Sequence, residues 1–514
     1  MKSPILSSGS IILYALLVFI LIALPACESP EEPELSDPPA LLVPGSVDKD
    51  GNGVFQQNRI YAEDYSNAMH AVSIIAGLSR ASELGSENYR PELPEGMGDR
   101  AQQWLELVRA TDSFFNRSGL IIPWFEQSGE QYASGGSPDL AVYPHVVYAY
   151  HLHHRSGRFT DFEGMYDALN IAPTNYIVSP GRYLLNNHYK EGFFFHHDGT
   201  IDNKSMSYGI GGIHGHVYAW VVWAKPDGAD NMGLIDEERL IAWMGYSKEE
   251  IAEMALETAQ VLNQAWDDDA GIYDFSTTDS WSTGTMPSSA ILSMVNETDG
   301  KTWSLDAIGA MIRGHKALYD ALYMFGDDEE SAKAAQELFE RSVVMFERVM
   351  PLAREWGLPN QITFGNNGAS AATDEVDVYN TFQFLNHLGG GYGWDREREG
   401  MAAFLGEQRP DIKDAIGKLS DMLLGGALDH MMQNDRLAST VSYEDGSITD
   451  ETTTISAAGM FVTAAGNMYR KGEAFERASD WPNLDEDLVE RSRNLYDAMM
   501  SHHDLIVNAI NGGF

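Results

Sequence analysis

The chain has 514 residues, 44% of them hydrophobic, and its 76 acidic against 34 basic residues give a formal charge of −42. That balance excludes nucleic acid as a partner, because holding a phosphate backbone calls for clustered Lys and Arg; spread over the whole length, it fits a carboxylate-rich surface that stays hydrated in high salt. A single cysteine leaves no disulfide within the chain and no Cys-ligated metal site, while the length allows a large core.

At the N-terminus, Lys2, the apolar run from Ile11 to Ala23 and the small residues before Cys27 carry the marks of a secretory signal. The apolar run is shorter than the roughly 20 residues that span a bilayer. A cysteine at this point resembles a bacterial lipobox. The resemblance implies a signal over residues 1–26, a lipid on Cys27, and export to the cell envelope with the membrane reached through that lipid alone. Residues 27–58 begin ESPEEPELSDPPALLVPGS and read as an extended Pro/Glu-rich tether. Inside it Asp48, Asp50, Asn52 and Gly53 match positions one, three, five and six of a calcium loop. Arg59 stands where the bidentate Glu belongs, so calcium is a weak expectation beside that of a solvated turn. No other cofactor is expected.

Residues 59–514 read as one domain built on a helical repeat. Six segments start polar and then run apolar with small residues interspersed: AEDYSNAMHAVSIIAGLSRA from Ala62, PDLAVYPHVVYAYHLHH from Pro138, SYGIGGIHGHVYAWVVWA from Ser207, SLDAIGAMIRGHKALYDALY from Ser304, DEVDVYNTFQFLNHLGG from Asp374 and ETTTISAAGMFVTAAGNMY from Glu451. Their starts lie roughly 70 to 100 residues apart, the length of a helical hairpin with its loops. Apolar on most faces, they are expected to be buried on most faces. Between them run amphipathic helices suited to an outer layer, such as SKEEIAEMALETAQVLNQAW and EESAKAAQELFERSVVMFERVM. Short extended snippets follow, among them SGLIIPWF, EGFFFHH, AGIYDFS, WGLPNQITFG and DRLASTVSY.

Six such hairpins resemble the (α/α)6 barrel, or toroid, of many carbohydrate-active enzymes, and AWDDDAGIYDF resembles the Trp-Asp turns common in that superfamily. The expected fold is therefore all-α, an (α/α)6 barrel with short β-hairpin loops at one end; an open helical array is the alternative. In that topology each hairpin lies between an outer helix and the next inner helix. All hairpins and inner-helix N-termini then share one end, where loops on a rigid scaffold carry chemistry.

Inner-helix starts supply the candidate site: Asp64, Asp139, Tyr208, Asp306, Asp377 and Glu451. Acidic residues also suit a first helical turn for its own sake. Glycoside hydrolysis needs two carboxylates, one protonated and one ionised, and Asp139 with Asp306 or Asp377 is the expected pair. Trp124, Tyr273, Trp281 and Trp394 lie in or near the same loops and are candidates for stacking on sugar faces. The stretch GFFFHHDGTIDNKSMSYG, Gly192 to Gly209, resembles the core motif of toroid polysaccharide lyases acting on uronate polymers. That resemblance implies His196 or His197 as the histidine of a β-elimination, Tyr208 as its tyrosine, and Asn186 or Asn187 at a carboxylate clamp. His214 and His216, two residues apart on a helix, face different sides and do not chelate as residues four apart can, so no metal centre is expected. Three functions remain: a glycoside hydrolase, a polysaccharide lyase, and a non-catalytic glycan-binding lipoprotein.

Overall fold

The computed structural model describes residues 46–47, 59–61, 63–64, 67, 124–128, 131–135, 140, 173–223, 237–276, 288, 291, 300–392, 405, 407–433 and 436–470. All belong to the larger of two compact units, Pro39–Phe514. None of the described helices is long and apolar enough to cross a membrane.

The helices are α1 (Pro173–His188), α2 (Asn203–Gly209), α3 (Gly211–Trp223), α4 (Glu237–Met244) and α5 (Lys248–Ala265). After them come α6 (Leu305–Phe325), α7 (Glu329–Val349), α8 (Val378–Tyr392), α9 (Pro410–Gly426) and α10 (Ile455–Arg470). Local sequence sets their boundaries. Ser247 and Glu250 form a reciprocal capping box at the start of α5, and the Asp328 carboxylate accepts the Ser331 N–H at 2.6 Å at the start of α7.

The helices sort into two layers. Along one side α2–α3 pack on α6, α6 on α8, and α8 on α10. Outside them α1 lies on α3, α5 on both α3 and α6, α7 on α6, and α9 on α8. Burial matches this division. α6 is buried on all sides from Leu305 to Leu322, whereas α7 buries Ala335, Leu338, Phe339, Ser342, Val343, Phe346 and Val349, the three-and-four spacing of a one-faced helix. The inner row also meets the first repeat. The Ser456 hydroxyl at the start of α10 donates to Asp64 Oδ1 at 2.7 Å and accepts from Asn67 Nδ2 at 3.1 Å. These contacts span almost the whole domain in sequence and join first repeat to sixth, which makes the architecture an (α/α) barrel rather than an open array.

Short strands gather at the N-terminal end of the inner helices. The strand β1 (Ser46–Val47) pairs in parallel with β17 (Thr453–Thr454), and β2 (Arg59–Tyr61), β3 (Trp124–Ser128) and β4 (Gln131–Gly135) form one antiparallel sheet. Two hairpins follow, β5 (Tyr189–Lys190) with β6 (Phe193–Phe194) and β7 (Trp266–Asp267) with β8 (Ile272–Tyr273). β9 (Thr302–Ser304) pairs with β10 (Gln361–Gly365), which continues into β11 (Gly368–Ala371). β12 (Glu375–Asp377) pairs with β15 (Thr440–Ser442), itself paired with β16 (Ile448–Asp450), and β13 (Met432–Gln433) pairs with β14 (Arg436–Leu437). The strand that follows α7 thus pairs with the strand that enters α6. Hairpins and inner-helix starts share one end, as the topology requires.

Several sequence expectations change. Ser46–Val47, inside the stretch read as a tether, instead adds a strand beside β17. Two outer helices, α1 and α9, escape the periodicity: Pro180–Gly181 in the middle of α1 reads as a breaker, yet the bare Gly181 admits the Gly212 carbonyl and the His216 ring, each 3.1 Å from where a Cβ would sit. Asp374–Asp377 is loop and strand rather than helix start, and Glu451 is an exposed residue ahead of β17. In both places neighbouring strands compete for the backbone before the helix begins.

Candidate active site at the barrel mouth

The Phe triplet is structural. Phe193 and Phe194 are fully buried, each contributing about 1.5–3 kcal/mol, and the turn before them uses positive φ at Glu191 (50°) and Gly192 (82°). Their packing aims α2. A Cβ on Gly209 would lie 2.3 Å from Phe194 Cβ, so only glycine lets the end of α2 rest on the ring. Asp202 caps α2 by accepting the Ser205 N–H at 2.8 Å, and the His196 Nε2 lies 2.9 Å from the same Asp202 Oδ1. His196 therefore braces the cap, with Asp202 held below the usual carboxylate range by that bond and by the Ser205 N–H against the opposing effect of burial. His197 is exposed, its ring 6.4 Å from that of His188.

Tyr208, placed by sequence at a helix start, is instead the penultimate residue of α2, because the helix begins four residues earlier at the Asp202 cap. It is 1% exposed, and its hydroxyl donates to Asp306 Oδ2 at 2.6 Å. Asp306 stands in the first turn of α6 and is 7% exposed; among the described residues its Oδ1 has no hydrogen-bond partner. Lys204 Nζ lies 4.0 Å from Oδ2. Asp377, at the end of β12, accepts the Asn380 N–H at 2.8 Å. Burial pushes its carboxyl up to about 6, and the charges of Glu375 and Asp306 push the same way, against that N–H. Tyr379 joins the group: burial and the charges of Glu63, Asp306 and Asp377 raise its hydroxyl well above the usual value, while a bond to Asn67 works against them. Asp64, 3% exposed, is held by Ser456. The mouth thus unites Tyr208, Asp306, Asp377 and Tyr379 from the third to fifth repeats with Glu63 and Asp64 from the first.

Below the mouth lies a small cavity lined by Ser207, Tyr208, Gly211, His214, Ala310, Arg313, Gly314 and His387. Asp306, Ala310 and Arg313 are spaced i, i+4, i+7 on one stripe of α6, whereas Ser207 lies at the end of α2 and Gly211 and His214 at the start of α3. His214 is held well below its usual basicity by burial and by the charges of Arg313 and Lys316. Lys316 is itself paired with Asp320 in the interior. Arg313 and His387 lie beyond the helix starts and loops that carry the sequence candidates, and only helix packing turns them to the cavity.

Other expected site residues lie elsewhere. Tyr273 is fully buried, and its hydroxyl is 2.7 Å from His315 Nε2, which binds the β7–β8 hairpin to α6 rather than offering a ring to a sugar. The two histidines either side of the i+2 spacing part company: His214 lines the cavity, whereas His216 turns outward to the carbonyls of Gly212 and Met244 at 2.8 and 3.3 Å. Asn186 accepts from the Tyr246 hydroxyl at 2.6 Å and Asn187 donates to the Tyr183 carbonyl at 2.9 Å, both on the exposed side of α1 and away from any clamp. Trp124 lies on β3 opposite Tyr61, and Glu451 stays exposed in its loop. Cys27, Asp48, Asp50, Asn52, Asp139, Trp281 and Trp394 lie outside the described residues. Among the described residues no three His, Cys, Asp or Glu side chains gather as a metal-ligand set.

No family model matches the chain, and no curated protein sequence matches it. Solved structures similar to it include a sugar epimerase from a ruminal bacterium, at 10% identity over 83% of this chain and 92% of that one, with a TM-score of 0.46. The cellobiose 2-epimerase of Bacillus thermoamylovorans B4167 is similar at 11% identity over 82% and 91%, TM-score 0.42. The family 15 glucoamylase of Hypocrea jecorina is similar at 11% identity over 82% and 67%, TM-score 0.41.

Proposed function

We propose that this protein cleaves glycosidic bonds at the barrel mouth with Asp377 as proton donor and Asp306 as the second carboxylate. The observation that supports this reading is the raised carboxyl of Asp377. Burial, with smaller contributions from the charges of Glu375 and Asp306, keeps its proton on to about pH 6, and a carboxyl tuned upward with a second carboxylate at the same mouth is what glycoside hydrolysis requires. Tyr208 fixes Asp306 through Oδ2 at 2.6 Å and so sets the orientation of the second carboxylate. On protonation of the glycosidic oxygen by Asp377 the C–O bond breaks, and water supplies the new hydroxyl. Asp139, the third carboxylate singled out from the sequence, is proposed to flank the same opening from the second repeat.

β-Elimination is the second reading, favoured by one observation: Tyr208, His214 and Arg313 line a single cavity. In that reading His214 replaces His196 and His197 as the base. Incubation with a broad polysaccharide panel, following reducing ends and ultraviolet absorbance separately, decides between the two. Reducing ends without absorbance, lost in Asp377→Asn and Asp306→Asn, are expected. Absorbance matching the reducing ends would replace hydrolysis with elimination, and neither signal would leave a glycan-binding protein. We also propose that a lipid on Cys27 tethers the protein to the bacterial envelope; Cys27→Ser is expected to move it from the membrane to the soluble fraction.

A further inference from the structure

We infer that Asn360 is a positioning residue of the barrel mouth: it ties the backbone that carries Asp306 to the segment that carries Asp377, and it holds the Glu375 carboxylate in place on that segment. The inference rests on the cleavage reading for the work the two carboxylates do, whereas the bonds that carry it stand without that reading. Asn360 lies immediately ahead of β10, and each of its polar atoms is engaged. Its carbonyl accepts the N–H of Leu305, the residue before Asp306, at 2.9 Å, and its own N–H donates to the Glu375 carbonyl at 2.7 Å. The side-chain Nδ2 donates to Glu375 Oε1 at 2.9 Å, and Oδ1 accepts from Asn380 Nδ2 at 2.9 Å. Asn380 in turn donates its backbone N–H to Asp377 Oδ1 at 2.8 Å.

An asparagine suits this place for a chemical reason. Its planar amide presents a donor and an acceptor on one short arm, and its two partners demand opposite roles: the carboxylate accepts, and the Asn380 amide donates. Aspartate would lack the donor and repel Glu375; alanine would reach neither partner. Apolar packing does not explain the residue, since Asn360 is half-buried while Gly357, Leu358 and Pro359 before it are buried. The next residue, Gln361, pairs with Ser304, so the β9–β10 ladder delivers Asn360 to the start of α6 in a fixed register. Among the described residues, Asp377 feels Glu375 from its own strand and Asp306 from α6, and shares its charge with Tyr379 of α8. One step removed are Lys204, 4.0 Å from Asp306 Oδ2, and Glu63, whose charge acts on Tyr379. Glu375 is exposed, and an exposed side chain keeps one place only where a bond offsets the entropy of fixing it. The Asn360 amide supplies that bond.

Urea unfolding of the full-length protein with and without Asp377→Asn, from about pH 4 to about pH 8, gives the pH at which folded Asp377 loses its proton, and calls on no activity. The series is repeated in Asn360→Ala, in Glu375→Gln and in the double variant. Asn360→Ala keeps both backbone bonds and should fold with an unchanged circular dichroism spectrum. Its midpoint is expected to move to lower pH by roughly 0.3–1 pH unit, the effect of one screened charge released to solvent. Glu375→Gln should move it at least as far, and the double variant no further, because Asn360 acts on this titration through Glu375. In parallel, kcat should fall about ten-fold in Asn360→Ala with KM little changed, as lost alignment between two reacting groups implies. An unmoved midpoint or a parental kcat in Asn360→Ala, or shifts that add in the double variant, would overturn the inference. The expected midpoints in a protein that cleaves no polysaccharide would sink the hydrolytic reading and leave Asn360 as the hold on Glu375. Cleavage with an unmoved midpoint would do the reverse.

Discussion

Replacing Asp377 by asparagine is expected to remove activity and add stability at once, because the same burial produces both effects. In the folded protein burial and the charges of Glu375 and Asp306 raise the carboxyl from 3.8 to about 6. At about 1.4 kcal/mol per pH unit, holding it ionised costs up to about 3 kcal/mol. The sign follows from proton counting. Between about pH 4 and pH 6 the folded carboxyl keeps a proton that the unfolded one has lost, so stability falls as pH rises through this window and levels off above it. Asparagine has the same shape, can still accept the Asn380 N–H through its side-chain oxygen, and carries no charge. Asp377→Asn should therefore be more stable than the parent by up to about 3 kcal/mol at pH 8, and by little at pH 4. Urea unfolding at the two pH values measures this difference. The parallel kinetic expectation is an alkaline limb near pH 6 in kcat/KM, and a loss of about 10²–10⁴-fold in the variant. A stability gain equal at both pH values would refute the burial account, and full activity in the variant would refute the role of proton donor.

Tyr208→Phe deletes the hydroxyl that holds Asp306; it should fold with an unchanged circular dichroism spectrum and lose about ten-fold or more in kcat, as expected for a bond to a charged group. Gly209→Ala forces a Cβ to 2.3 Å from Phe194 and should cost about 1–3 kcal/mol by urea unfolding, with a Glu253→Ala control on the exposed face of α5 giving almost none. Ser456→Ala breaks the link between first and sixth repeats and leaves Asp64 short of a donor; a loss of about 1–3 kcal/mol is expected, with faster amide exchange at the start of α10. His315→Phe should lower stability through the buried Tyr273 hydroxyl without changing the pH profile of cleavage, because that pair pins a hairpin rather than serving the site.

What the amino-acid sequence determines by itself is the material of the barrel. Helices apolar on most faces, such as 305–322, find their stable place between other helices, and one-faced helices such as 329–349 find theirs outside them. Capping residues such as Ser247, Asp328 and Asp202 mark helix starts because they satisfy orphan N–H groups locally. The order of inner helix, outer helix and hairpin then puts Asp306 and Asp377 at one end. Local preference stops there. Whether 374–377 is helix or strand depends on Val441 arriving opposite Val376, and whether a Pro-Gly pair breaks α1 depends on how closely α3 approaches it.

The site needed more still. Tyr208 and Asp306 are 98 residues apart, and nothing in either neighbourhood announces the hydrogen bond between them. His196 carries the appearance of a catalyst in its motif but spends its ring on the cap of α2, while Arg313, unremarked in sequence, lines the cavity. Tyr273 sits in the loop region with the other aromatics and is nonetheless core. Helical spacing tells which residues share a stripe; only the packing of neighbouring helices decides which stripe faces the cavity. That choice is made by contacts between distant segments, and it separates a buried charge with a structural partner from one placed to meet a ligand.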